Sequence, residues 1–250
     1  MLNMMRADLY RFFHSKKFKG CLLFTFIWVI SCGLLQQGTL TMREAAAGGK
    51  INIDYWESFW GYHPVLIPLI VFCCIEYAMD FKQKTIKLYV AKGISKWSFF
   101  FSKIFMGWLV AFIFVGVALL SGMLCDMILW GGSFSAFFSV DFMGYLLGQW
   151  LFHGTAATFI ISLVFLMRGN AVCTVVNLLL LIFGYALMHK FEMTMGHDGL
   201  ITNFWVYSYI NGIEMESLTQ TVIRVALLFA GYFAVFGMIS GIIFHKRDVE

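Results

Sequence analysis

Apolar residues in this chain run on without the polar interruptions that a soluble helix or strand would carry. The stretches at about Gly20–Leu40, Tyr62–Met79, Ile104–Leu124, Phe142–Met167, Ala171–Met188 and Val222–Phe244 approach or exceed the ~20 residues a helix needs to cross roughly 30 Å of hydrocarbon. Helices buried in a soluble core would keep a polar face, and these have almost none. Barrel strands would alternate in short segments, and nothing here alternates over the needed length. The pattern predicts an all-α membrane protein with six transmembrane helices, folded as a single domain over residues 1–250. Gln36, Gln37 and Thr39 offer no small-residue cleavage pattern, so the first span is expected to stay as a membrane helix rather than be removed as a leader.

Composition agrees: 60% of the 250 residues are hydrophobic, 13% are charged, and the mean hydropathy is +0.80. No soluble domain is expected. The cations are unevenly spread. Fourteen of the 18 Lys and Arg fall in the amino-terminal arm, the segment from Lys82 to Lys103, the turn at Arg168 and the tail at Lys246 and Arg247. The other side holds Arg43, Lys50 and Lys190, with Arg224 just inside the last span and within reach of Glu214 or Glu216. Positively charged short loops stay cytoplasmic, which puts both termini inside.

Two cytoplasmic pieces have their own pattern. Within residues 1–19, Leu2, Met5, Leu9, Phe12 and Phe13 recur at helical spacing among Arg6, Arg11 and Lys16, as in an amphipathic helix lying on the inner membrane surface. Residues 80–97 interleave lysines with Ile86, Leu88, Tyr89, Val90 and Ile94, and break at Gly93. Positive-inside sorting explains the lysines but not the large apolar side chains on the water side. A short helix offering Ile86, Tyr89 and Val90 to a partner's groove would explain them, and a lipid-bound interfacial helix is the alternative. On the opposite side, residues 190–219 contain a run too apolar for a solvated loop and too short to span. Trp205, Tyr207 and Tyr209 suit the headgroup boundary, which predicts short re-entrant helices between spans 5 and 6.

Polar groups inside the spans are few. Gln149 and His153 stand one turn apart on span 4, and Asn177 lies in span 5. Hydrogen bonding between helices is the commoner role, and lining a substrate path is the alternative. Glu76 lies near the cytoplasmic end of span 2, where it could snorkel or meet a loop lysine. The six cysteines form no C-x-x-C pair and read as small buried hydrophobes, so no metal site is expected. No H-E-x-x-H and no G-x-S-x-G occurs, and no catalytic residue is expected.

Several of these residues resemble a known family. Asp80, Phe81, Thr85-Ile86-Lys87, Gly93-Ile94-Ser95-Lys96 and Ser102-Lys103 are similar to the first cytoplasmic loop of the membrane subunits of type-2 ATP-binding-cassette exporters. Small six-span permeases of bacterial peptide-export and lantibiotic-immunity systems are the nearest in pattern. Lys84 stands where that pattern usually has Gly, and Lys96 where it has Arg. The opening Arg6–Arg11 resembles the family's surface elbow helix, and the ending Gly241–Asp248 its last helix and tail.

The resemblance implies a coupling helix docking on a separate ATPase dimer, with Asp80, Phe81, Thr85, Ile86, Lys87, Tyr89, Gly93, Ile94, Ser95 and Lys96 as the coupling residues. It also implies a second permease subunit, identical or not. The chain carries no G-x-x-x-x-G-K-[ST] loop, so ATP and magnesium are expected on the partner and no cofactor on this chain. The expected function is outward movement of hydrophobic or amphipathic substrates, peptides of antimicrobial or toxin type foremost, across a bacterial cytoplasmic membrane. No nucleic-acid partner is expected. The rival reading is a membrane scaffold or sensor that holds a cytosolic partner and transports nothing.

Overall fold

A computed structural model describes residues 2–47, 64–129, 140–196, 202–207 and 218–247. Among them the regular structure is all helical. In chain order the helices are α1 (Leu2–His14), α2 (Lys16–Ala47), α3 (Leu66–Lys82), α4 (Thr85–Ala91), α5 (Lys96–Leu129), α6 (Val140–Met167) and α7 (Asn170–Met195). A short 3-10 turn, Thr202–Phe204, precedes α8 (Leu218–Tyr232), which runs through a π-helical turn, Phe233–Gly237, into α9 (Met238–Lys246).

Five segments are long and apolar enough to cross a membrane: Lys16–Met42, Lys96–Leu129, Phe142–Met167, Asn170–Met195 and Leu218–Lys246. The expected span at Tyr62–Met79 falls on α3, whose 17 residues rise only about 26 Å. That is shorter than the hydrocarbon layer, and residues before 64 lie outside the described part. At 34 residues, α5 rises about 51 Å and extends well beyond the span expected from hydropathy. Of the expected re-entrant segment, residues 190–195 complete α7 and 202–207 form the 3-10 turn and its exit. Leu218 and Thr219 open α8, and Tyr209 with the remainder of 197–201 and 208–217 lies outside the described residues. Tyr207 is fully buried, its ring edge-on to Phe159 and Trp205.

Burial orders the bundle. In α6, 72% of the most apolar window is buried, against 22% in α7 and 22% in the α8–α9 span. The centre is therefore α5 against α6, with α3 and α8 on α6, α2 on α5 and α3, and α7 on α3. The outer helices turn large apolar side chains away from the bundle, among them Leu23, Ile27 and Leu35 on α2 and Leu179, Ile182 and Leu187 on α7. Small residues set the close approaches, as is usual where lipid offers no hydrophobic drive between helices. Gly107 on α5 leaves room for Ile161, and Gly241 on α9 lets the Trp97 ring lie where a Cβ would stand.

The first helix forms as its periodicity predicts, but it is rotated. Met4, Asp8 and Phe12 make its buried stripe, while Phe13 and Tyr10 are exposed. Phe12 packs edge-on to Phe72 of α3, with ring centroids 5.3 Å apart. An acidic residue thus sits at the centre of the face turned toward the bundle.

Candidate functional site

Around Asp8 five charged side chains from three helices converge. On α1, Asp8 and Arg11 are three residues apart; on α3, Glu76 and Asp80 are four apart; α5 contributes Lys103. Each pair therefore shares one helix face. Lys103 Nζ donates to Asp8 Oδ1 at 2.9 Å and Oδ2 at 2.8 Å, and lies 2.9 Å from Asp80 Oδ2. Arg11 Nη1 donates to Asp80 Oδ1 at 2.9 Å, with Nε 3.0 Å from Glu76 Oε1 and Nη2 3.5 Å from Asp8 Oδ1. The Glu76 contact and the Lys103–Asp80 contact are ion pairs by distance without hydrogen-bond alignment.

Lys103 is 0% exposed and Asp80 1%, while the Arg11 side chain is 34% exposed, so the cluster is a clamp buried at Lys103 and open to the surface at Arg11. Burial opposes the Arg11 charge, but Asp80, Asp8 and Glu76 outweigh it and hold the guanidinium above its ordinary range. Two cations face three carboxylates, and the Phe99 ring lies 4.9 Å from Lys103 Nζ. Dry charges of this kind hold together only as a complete set.

From this clamp α3 leads into the short helix α4. Lys84 has φ 54°, the left-handed region that favours glycine, so its β-carbon is strained where the resemblance anticipates Gly. α4 ends in a Schellman motif: Gly93 at φ 79° donates to the Val90 carbonyl at 2.9 Å, and Ile94 donates to that of Tyr89 at 3.1 Å. Within α4, Ile86 is buried and Tyr89 packs on Phe99 with centroids 5.4 Å apart. This corrects the expected presentation of Ile86 and Tyr89, which anchor the helix to the bundle. Leu88, Val90, Lys87 and Lys92 are the residues it turns outward.

The remaining expected residues have local partners. Phe81 lies edge-on to Phe165 and Phe244, in an aromatic cluster beneath α4 that also takes in Phe99 and Phe100. Thr85 opens α4. The Ser95 hydroxyl accepts from the Ser98 N–H at 3.2 Å and so caps α5. Lys96 Nζ donates to the carbonyls of His245 and Arg247 at 3.1 and 2.8 Å, closing the end of α9. Lys96 thus acts as a point charge on carbonyl oxygens, a task that needs no planar guanidinium.

Gln149, His153 and Asn177 are all buried. His153 Nδ1 lies 2.7 Å from the Gln149 carbonyl, on one turn of α6. Asn177 donates to the Cys173 carbonyl at 2.9 Å, and its amide lies among Cys173 and Cys74, whose sulfurs are 3.6 Å apart. Gln149 and His153 therefore form one polar turn, and Asn177 belongs to a separate polar group between α7 and α3. Among the described residues no group of three or more His, Cys, Asp and Glu is placed to hold a metal ion.

Reasoning from sequence passed over Asp8 and Lys103 as partners and left Glu76 between two roles. The signal was present: an acidic residue on the apolar face of an amphipathic helix, and a lysine at the very edge of an apolar span. Fold and site together define an all-helical protein with the build of a multi-pass membrane protein, whose charged clamp sits beside a short exposed helix. Residues 48–250 match the family described as "Protein of unknown function (DUF2705)", and the chain belongs to that family. No curated protein matches it.

Proposed function

We propose that this chain is the membrane subunit of an ATP-driven exporter of hydrophobic or amphipathic substrates, peptides foremost, working in a bacterial cytoplasmic membrane. The observation that carries the reading is α4. It is a seven-residue helix anchored inward through Ile86 and Tyr89 while Leu88, Val90, Lys87 and Lys92 face out. An apolar pair ringed by lysines suits a shallow acidic groove on a cytosolic protein. Strand-free and only seven residues long, α4 is held at both ends, by Lys84 and by the Schellman turn, so it moves as a unit with α3 and α5.

An ATPase dimer carrying ATP and magnesium would grip α4. The charged clamp behind it ties α1, α3 and α5 together, so a push on α4 moves three helices in concert. Two-state packing of that kind is what coupling requires. The exposed apolar faces of α2 and α7 suit a second permease subunit or lipid. The chain itself is proposed to do no chemistry.

The test uses membrane vesicles holding the chain together with a candidate ATPase subunit that carries the G-x-x-x-x-G-K-[ST] loop. ATP-dependent accumulation of a labelled amphipathic peptide, lost on Leu88→Asp, supports export. Firm ATPase binding without any movement of substrate overturns it in favour of a scaffold.

A further inference from the structure

A second site lies at the other end of the molecule, between α8 and the 202–207 segment. A cavity of about 690 Å³ opens there along the side of the helix, lined by Asn203, Phe204, Arg224, Leu227, Gly231 and Val235, among others. Its wall is built, not incidental. Glu192, itself buried, accepts from the Thr202 N–H at 2.8 Å and from its hydroxyl at 2.7 Å. Tyr232 donates to the Phe204 carbonyl at 3.0 Å, fastening the turn across α8. Gly231 lines the groove, and the space beside it is open: a β-carbon there would meet nothing within 4 Å.

The groove is apolar along its length and cationic at one end. From Arg224 to Val235 the helix rises about 17 Å, close to the roughly 15 Å of hydrocarbon in one leaflet. Arg224 lies about two turns from the start of α8, near enough for its flexible stem to carry the guanidinium to the phosphate level. Among the described residues no carboxylate stands within ion-pair distance of Arg224. At the deep end the backbone passes into the π-helical turn Phe233–Gly237, a departure from regular helix that often accompanies binding sites.

We infer that this groove holds one anionic phospholipid of the leaflet that meets the Leu218 end of α8. One acyl chain lies along Leu227, Gly231 and Val235, and the phosphate pairs with Arg224. The length match and the single cation at the headgroup end argue for a lipid over a second helix, which would need no such charge. The inference rests on membrane placement and not on export.

The full chain is purified in detergent with equal amounts of phosphatidylglycerol and phosphatidylcholine of the same chain length, and retained lipid is counted by native mass spectrometry. The wild type should keep phosphatidylglycerol over phosphatidylcholine by roughly tenfold, the scale of one charge-assisted contact. Arg224→Gln should bring that ratio to about one while total lipid stays, and Arg224→Lys should restore it. Gly231→Leu puts a side chain into the groove, its β-carbon entering open space, and should lower retention of both lipids, with thermal unfolding no lower than wild type confirming the fold. Equal retention by the wild type, an unaltered ratio in Arg224→Gln, or undiminished lipid in Gly231→Leu overturns the inference. So does efficient disulfide pairing of two copies through Val235→Cys.

Discussion

Replacing Lys103 by Met removes the ammonium and keeps most of the apolar stem. The wild-type clamp has two cations against three carboxylates; the variant leaves Arg11 alone with Asp8, Glu76 and Asp80. Three contacts of 2.8–2.9 Å are lost at a site with no solvent access. Breaking a buried pair from one side costs about 3–5 kcal/mol, because the stranded charge has no water to receive it. For a chain of this size that corresponds to roughly 6–20 °C in Tm. Cys73, Cys74 and Cys173 are fully buried, so a thiol-reactive dye reads unfolding directly in detergent. Lys103→Met should unfold well below wild type, and adding Asp8→Asn should recover part of the loss by removing one stranded carboxylate. Exposed Lys92→Met is the control and should stay within about 0.5 kcal/mol of wild type. A Lys103→Met protein that melts with the wild type, or a double variant worse than the sum of its parts, would refute the clamp.

Three further outcomes follow from the same geometry. Lys84→Gly relieves a left-handed β-carbon and should raise stability by about 0.5–1 kcal/mol in the same dye assay. Gly241→Leu drives a side chain into the Trp97 ring and should cost about 1–3 kcal/mol or more, whereas Gly116→Leu, facing open space, should be close to neutral in thermal unfolding. Ser95→Ala removes the cap of α5 and should cost about 1 kcal/mol, read as a lower melting temperature in the same dye assay.

The apolar runs were enough to find the helices because lipid imposes one rule on every spanning segment: satisfy the backbone internally. That rule says nothing about where a helix stops outside the bilayer. Hence α5 continues past its apolar stretch through Lys103, whose charge ends a hydropathy window but not a helix when Asp8 and Asp80 are there to meet it. The apolar run read as the second span likewise forms a helix, α3, which begins at Leu66 and packs against α6 and α7. In α4 the spacing revealed a helix with apolar and basic residues, but not which apolar residues face inward. Ile86 and Tyr89 are the larger anchors because Phe99 and the aromatic cluster wait beneath them, a contact of tertiary origin. Ser95 and Lys96 were singled out for coupling, and their visible work is capping α5 and α9, a role the local sequence allows but does not demand. The clamp was hidden because its charges are far apart in the chain and each, taken alone, has an ordinary explanation.

The most direct test of the central claim is a photo-crosslinker placed in turn at Leu88, at Val90 and, as a control, at the apolar face of α5 at Leu120, in the intact native membrane. The proposal predicts that Leu88 and Val90 capture a protein carrying the G-x-x-x-x-G-K-[ST] loop, with a yield that changes on adding ATP, while Leu120 does not. Capture of no such ATPase from either α4 position, under conditions where the crosslinker reacts with other neighbours, would contradict it.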